Sequence, residues 1–220
     1  MHCGVFLKAN NYFPQQQCIA ACPRWLAIVG GFKEEQASDE EYSKFIEKVV
    51  HFIHVTGDHN VVTEQDCDKD GFCIDPYQRL FIEQSWVHDD FFVTKKRKIY
   101  SDIALVKTTK DIKYSYSVEP ICLSVVMPKL QPPTNGTRLT VAGWGSTATA
   151  NYTDEKRIVD VVYLDDDKCR IRQELSHMCV GGEMGKDSCN GDSGGSLARR
   201  TQNGWVLEGI VLHIAQVVAK

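Results

Sequence analysis

Short apolar runs, rich in valine and isoleucine, alternate with turn residues from residue 52 onward. Runs of this length and composition are typical of strands, and Gly-Asp or Asn-Gly pairs between them are typical of tight turns. Such turn pairs occur at Gly57-Asp58, Asn135-Gly136, Gly191-Asp192 and Asn203-Gly204. The pattern therefore predicts strands near 52–57, 79–86, 103–107, 137–143, 156–163, 196–199 and 205–212.

Residues 1–50 follow a different pattern from residues 51–220, which gives a two-part organisation. Ser38 lies three residues before Glu41, which is the spacing of a helix capping box. Apolar residues then recur at helical spacing, so we expect one amphipathic helix over about 39–50. The β-rich part is divided by Pro132-Pro133 into two halves, which suits an all-β barrel or sandwich.

The composition and charge of the chain indicate which classes of partner it does not bind. The chain has 220 residues, 43% of them hydrophobic, and a net charge of −4. This balance is that of an ordinary globular protein, and the acidic charge argues against a nucleic-acid partner. Its apolar runs are far shorter than the ~20 residues of a membrane helix, so we expect no membrane partner.

Nine cysteines point to disulfides or to a metal site. The spacings contain no paired Cys-x2-Cys or His-x3-His set, so we expect neither a metal ion nor another cofactor. The start of the chain, MHCGVFLKANNYF, has no pattern of a secretory signal peptide. Either the thiols are free in the cytosol or the sequence is an incomplete secreted chain, and the motifs below favour the second interpretation.

The segment Gly185–Leu197, GKDSCNGDSGGSL, carries the clearest chemistry. Glycines on both sides of Ser193 allow backbone conformations that other residues avoid and leave room for a substrate. The backbone amides of Gly191 and Ser193 could then stabilise the oxyanion of a tetrahedral intermediate. A serine nucleophile also needs a base and a carboxylate that orients it. Asp102 precedes the apolar run Ile103–Val106 and is placed for burial, although it could also simply cap that strand.

These motifs resemble those of the trypsin-like (chymotrypsin-family) serine endopeptidases. Pro120–Leu123, Val141–Gly145 and His177–Gly182 resemble further landmarks in family order, over residues 53–211. The resemblance implies a double six-stranded β-barrel that is incomplete at both termini and preceded by a short helical or irregular segment. It also implies that Ser193 is the nucleophile, Asp102 the triad carboxylate, and Gly191 and Ser193 the oxyanion hole.

Two further acidic residues gain roles from the resemblance. Asp187 corresponds to the base of the specificity pocket, which implies protein or peptide substrates with Arg or Lys before the scissile bond. Asp192 corresponds to the acid that pairs with the new N-terminus after zymogen cleavage. The pairing of Cys169 with Cys179 is implied in the same way.

A narrower resemblance is to the arthropod clip-domain proteases. It lies in Gly57–Asn60, Asp75–Tyr77 and Trp86–His88, and in Cys67 and Cys73, which form a disulfide in that group. Residues 1–50 resemble part of a clip domain through Cys18 and Cys22-Pro23. The resemblance implies an extracellular zymogen of an immune cascade, with serpin inhibitors and other cascade proteases as partners.

The sequence departs from the family in four places. No Ala-His-Cys motif for the catalytic base precedes the strand near 53–57; His2-Cys3 is a candidate, but we prefer Cys3 as a clip cysteine and His2 as incidental. The first strands of the N-terminal barrel are not found, and Ile28–Gly31 has the letters of an activated N-terminus only by coincidence. The pocket wall expected after Leu212 is also missing. We therefore expect no useful peptidase activity from this polypeptide, and a non-catalytic homologue is the alternative.

Secretion would bring glycosylation. Asn135-Gly136-Thr137 and Asn151-Tyr152-Thr153 are acceptor sequences in predicted loops. The resemblance pairs Cys122 and Cys189 with segments that are not in this sequence. The partners of Cys3, Cys18 and Cys22 remain open.

Overall fold

The computed structural model describes residues 53–94, 99–124, 127, 129–165, 167–168, 177–202 and 204–212, and the backbone of two earlier strands. Strands account for nearly all of its regular structure. The described residues contain no α-helix, and therefore no helix long and apolar enough to span a membrane. The predicted helix at 39–50 lies outside the described residues. The strands are β1 (Cys3–Lys8), β2 (Trp25–Ile28), β3 (Ile53–Thr56), β4 (Gln78–Val87), β5 (Phe92–Val93), β6 (Ile99–Tyr100), β7 (Ala104–Thr108), β8 (Cys122–Leu123), β9 (Arg138–Gly143), β10 (Arg157–Leu164), β11 (His177–Gly181), β12 (Ser196–Thr201) and β13 (Gly204–Leu212).

The larger sheet closes on itself. Its strand order is β1-β11-β10-β9-β12-β13-β8, and β1 also pairs with β13, so that the first six of these strands form a barrel. Alternation along β9 explains its packing, because Leu139 and Val141 point inward while Arg138 is exposed. The barrel core is built from Leu139, Val141, Val161, Met178, Val180, Leu197 and Val211.

The smaller sheet has the order β2-β7-β4-β3. Its long strand β4 changes register between Ile82 and Gln84, which bends the strand as it pairs with β7. Val106 of β7 and Leu80 of β4 are buried. Asp102 lies two residues before β7, so this sheet fixes the position of the candidate carboxylate.

The expectation of an all-β fold is confirmed, and the strands predicted from valine-rich runs are present with ends within two residues. One expectation is wrong. The first strands of the N-terminal barrel are not all missing, because β2 pairs with β7 from Trp25↔Lys107 to Ile28↔Ala104. The residues Trp25–Ile28 form a four-residue apolar run, which suffices for a strand once a partner edge is available. The proposed clip fragment at 1–50 remains a prediction.

The loop after β3 joins the two sheets. Val61 donates its amide to the Asp154 carbonyl at 3.0 Å, and Lys156 donates its amide to the His59 carbonyl at 2.7 Å. The indole Nε1 of Trp144 donates to the same His59 carbonyl at 3.1 Å. The backbone of His59 therefore holds the half that carries Asp102 against the half that carries Ser193.

Lys156 lies at the centre of this junction. Its ammonium donates to the Asp58 carbonyl and lies 4.5 Å from the centroid of the Trp144 ring. Burial lowers the pKa of Lys156, and the carboxylates of Asp58 and Asp66 oppose that shift. An amine placed in this way stabilises the folded state through a charged hydrogen bond and a cation–π contact.

We expect Lys156→Ala to lower the free energy of unfolding by about 1–2 kcal/mol, because both contacts are lost. Urea denaturation followed by tryptophan fluorescence measures the change. Lys168→Ala is the matched control, since Lys168 is exposed, and its effect is expected within about 0.5 kcal/mol. Equal effects of the two substitutions would contradict a role of Lys156 in the junction.

Candidate active site

The loop between β11 and β12 holds Ser193 in two successive turns. Asp192 donates its amide to the Cys189 carbonyl at 3.0 Å, and Gly195 donates to the Asp192 carbonyl at 2.9 Å. Gly194 then donates to the Val211 carbonyl at 2.9 Å, and Val211 donates back to Gly195 at 2.9 Å. Ser193 is half-buried at the centre of a loop that is tied to the barrel on its C-terminal side.

Glycine is required at position 191. Its φ is +97°, and a Cβ there would lie 3.1 Å from the Gly145 Cα. Within the described part of the chain, neither the Gly191 amide nor the Ser193 amide donates to a protein acceptor. Two amide donors of the same loop, one in each turn, are thus available to an external oxygen, as an oxyanion hole requires.

The side chain of Asp192 stabilises this loop through two hydrogen bonds. Its Oδ1 accepts the Gly145 amide at 2.9 Å, and its Oδ2 accepts the Cys189 amide at 2.8 Å. A Cβ on Gly145 would lie within 2.5–2.6 Å of the carboxylate atoms, and one on Gly143 would overlap them. The glycines of the Ala142–Gly145 segment therefore make room for Asp192, a role that the sequence motif alone did not reveal.

Asp102 is almost completely buried, with 2% of its surface exposed. Its Oδ2 has no hydrogen-bond partner among the described residues, and burial raises the pKa of this carboxyl to about 7. The preceding Ser101 has a φ of +48°, in the left-handed region that is strained for a residue with a side chain. A buried carboxylate oxygen without a donor is costly, and such groups cluster at functional sites.

The comparisons with known proteins agree with this geometry. The Trypsin family profile matches residues 53–218. The chain belongs to the trypsin family. This confirms the family resemblance seen in the nucleophile loop and in the segment around Asp102.

Three curated relatives illustrate what the trypsin-family chain is similar to. It is 36% identical to "Serine protease 7" of Drosophila melanogaster over 70% of this chain and 41% of the relative. It is 35% identical to "Phenoloxidase-activating factor 1" of Holotrichia diomphalia over 95% of this chain and 53% of the relative. It is 34% identical to "CLIP domain-containing serine protease B4" of Anopheles gambiae over 96% of this chain and 54% of the relative. The chain thus spans about half the length of these relatives.

A solved structure supports the fold. The Drosophila Grass clip serine protease of the Toll pathway superposes with a TM-score of 0.66 at 23% identity, covering 96% of this chain and 60% of that one. At this identity the likeness shows the fold alone. Together with the two sheets and the closed barrel, it confirms the chymotrypsin-like fold.

The trypsin-family site has no histidine in place among the residues whose side chains are described. His59 and His88 take part in loop structure: the His59 amide donates to Asp66 Oδ2 at 2.9 Å, and His88 Nδ1 accepts the Asp90 amide at 3.1 Å. None of His59, His88 and His177, the histidines whose side chains are described, is hydrogen-bonded to Asp102 or Ser193. His2, the candidate base, lies outside the described residues, so its role stays a prediction.

Asp187 lies in the irregular segment between β11 and the nucleophile loop. It is half-buried, and its Oδ1 accepts the amide of the adjacent Ser188 at 2.8 Å. The neighbouring Lys186 is directed to Glu183, with Nζ and Oε2 2.9 Å apart. Lys186 is therefore paired with Glu183, and the role of Asp187 in substrate selection remains a prediction.

The described cysteines have different states. Cys67 and Cys73 form a disulfide, and Cys122 and Cys179 are each disulfide-bonded. Cys169 lies outside the described residues, so its pairing with Cys179 stays a prediction. Cys189 is an exposed free thiol whose Sγ accepts the Ser146 hydroxyl at 3.0 Å.

The remaining predicted sites concern glycans and metals. Asn135 and Asn151 are both exposed in loops, so each is accessible to a glycosyltransferase, and their modification stays a prediction. Among the described residues, no three His, Cys, Asp or Glu side chains form a group that could hold a metal ion.

Proposed function

We propose that this chain carries the peptidase site of a serine endopeptidase of an extracellular zymogen cascade, with Ser193 as nucleophile. The observation that carries the proposal is the nucleophile loop. It presents a half-buried hydroxyl beside two unused backbone amides and is braced by Asp192 through two further amides. Two such amides aimed at one point would bind a tetrahedral oxyanion better than a planar carbonyl, which is the requirement for acyl transfer.

The roles of the other residues follow from their chemistry. Asp102 would orient an imidazole and stabilise its protonated form, since a buried carboxylate lacking a donor gains a hydrogen bond when a histidine arrives. Asp187 would pair with the guanidinium or ammonium of the substrate, which gives cleavage after Arg or Lys. The relatives named as clip-domain proteases support a cascade protease that acts on protein substrates. Secretion and control by serpins are part of the proposal.

A non-catalytic homologue that binds partners in a cascade is the second candidate. The lack of an Ala-His-Cys motif before the strand near 53–57 favours it, because a serine hydroxyl without a base is a weak nucleophile. The intact loop around Ser193 favours the first candidate. The two differ in whether a base reaches the site.

Hydrolysis of a fluorogenic tripeptide ending in arginine tests whether a base reaches the site in this chain. For the 220-residue polypeptide we expect no hydrolysis above that of Ser193→Ala, because the sequence has no Ala-His-Cys motif for the base. Hydrolysis that is abolished by both Ser193→Ala and His2→Ala would contradict this expectation and would identify His2 as the base. A pH profile would then report the titration of that base.

A further inference from the structure

Strand β1 closes the C-terminal barrel from the opposite end of the chain. Its backbone pairs antiparallel with β11, from Cys3↔Gly181 to Leu7↔His177. On its other side it pairs antiparallel with β13, from Val5↔Leu212 to Lys8↔Gly209. The six residues of β1 therefore occupy a groove between two strands that do not pair with each other in the sheet order.

The walls of this groove carry no formal charge when the histidine is neutral. The residues of β11 are His-Met-Cys-Val-Gly, and the paired end of β13 is Gly-Ile-Val-Leu. All of them are buried except the half-buried His177. Removal of β1 would leave two unpaired strand edges together with the side chains of Met178, Val180 and Leu212, and edges of this kind capture extended segments.

The occupant matches the groove. The sequence Cys-Gly-Val-Phe-Leu-Lys has a single charge, at the end of the strand opposite Gly209. Its pairing on both sides is through the main chain, the mode by which sheets bind peptides by strand addition. We propose that β11 and β13 form a strand-acceptor site for an extended, largely apolar segment, and that Cys3–Lys8 is an exchangeable occupant of it. The proposal is independent of peptidase activity.

A full-length Phe6→Pro chain tests the exchange. Proline removes the backbone donor of Phe6, which lies opposite both Met178 and Val211, and disrupts a central strand. A fluorescein-labelled peptide of residues 1–10 should bind this chain at least about tenfold more tightly than it binds the unmodified chain, whose groove is filled. The same peptide carrying Phe6→Pro is the matched control and should not bind. Equal binding to both chains, or none to either, would overturn the proposal.

Hydrogen exchange on the unmodified chain decides the question even if the Phe6→Pro chain does not fold. The amides of residues 4–7 should be protected like those of β12. In a roughly hundredfold excess of ¹³C-labelled peptide they should lose protection while β11 and β13 keep theirs. Exchange of residues 4–7 at the rate of an unstructured peptide, or protection that excess peptide leaves unchanged, would refute the exchangeable strand. Protection that depends on dimer formation would show that a second copy supplies the strand.

Discussion

Replacement of Asp102 by asparagine is expected to stabilise the protein by a few kcal/mol at pH 8. The buried carboxyl has a pKa of about 7, against about 4 for an exposed aspartate. Above pH 7 the folded chain therefore holds a buried negative charge without a hydrogen-bond donor for Oδ2. Asparagine removes the charge while keeping nearly the same shape. With each pKa unit equivalent to ~1.4 kcal/mol, about 4 kcal/mol is the upper limit of the gain.

The pH dependence of the difference in stability between the two proteins is the control. A raised carboxyl pKa means that the folded state binds the proton more tightly than the unfolded state. The contribution of Asp102 to stability is therefore full below about pH 4 and is lost as the pH rises to about 7. Chemical denaturation of both proteins between pH 4 and pH 8 should show stabilities that nearly coincide at pH 4 and separate towards pH 8. Asp165→Asn, at an exposed aspartate, should leave no such separation. A constant difference across this range would contradict the explanation.

Gly143→Ala is expected to destabilise the fold by about 3 kcal/mol or more. A Cβ at this buried position would overlap the Asp192 carboxylate, with Cγ only 3.0 Å away. Relief would require Asp192 to move away from the Gly145 and Cys189 amides, which would lose charged hydrogen bonds. Overpacking and loss of these bonds act together, so the effect should exceed that of an ordinary core substitution.

A double-mutant cycle identifies the cause. If the overlap with Asp192 is responsible, Gly143→Ala should cost at least about 1 kcal/mol less in an Asp192→Gly background than in the unmodified chain. Urea denaturation of the four proteins gives this coupling. Additive effects would mean that Asp192 is not what makes glycine necessary at position 143.

The sequence predicts the parts of the fold that depend on local pattern. Valine-rich runs such as those that form β9 and β10 predict strands well, because alternation with polar residues matches the pleat of a sheet. Strand β2 was missed because its stability depends on pairing with β7, about eighty residues further along the chain, which no local pattern encodes. Strand β1 was missed for the same reason, since both of its partners lie in the C-terminal half.

The candidate site also has some features that the sequence predicts and others that only the structure shows. The motif around Ser193 predicts the nucleophile loop because its glycines are required locally, as the φ of +97° at Gly191 shows. The partners of Asp192 are backbone amides, which every residue possesses, so no sequence pattern marks them. Asp102 could be expected to be buried from the apolar run after it, but the lack of a partner for Oδ2 is visible only in the structure.

We propose that Ser193 and its neighbouring amides form an oxyanion site that selects arginine through Asp187. A peptide boronic acid with an arginine side chain tests this directly, because boron forms a tetrahedral adduct with a serine hydroxyl and no turnover is needed. Boron NMR with calorimetry should show a tetrahedral adduct with the unmodified chain, none with Ser193→Ala, and binding about tenfold or more weaker with Asp187→Asn. The absence of an adduct with the unmodified chain, or an equal adduct with Ser193→Ala, would contradict the account.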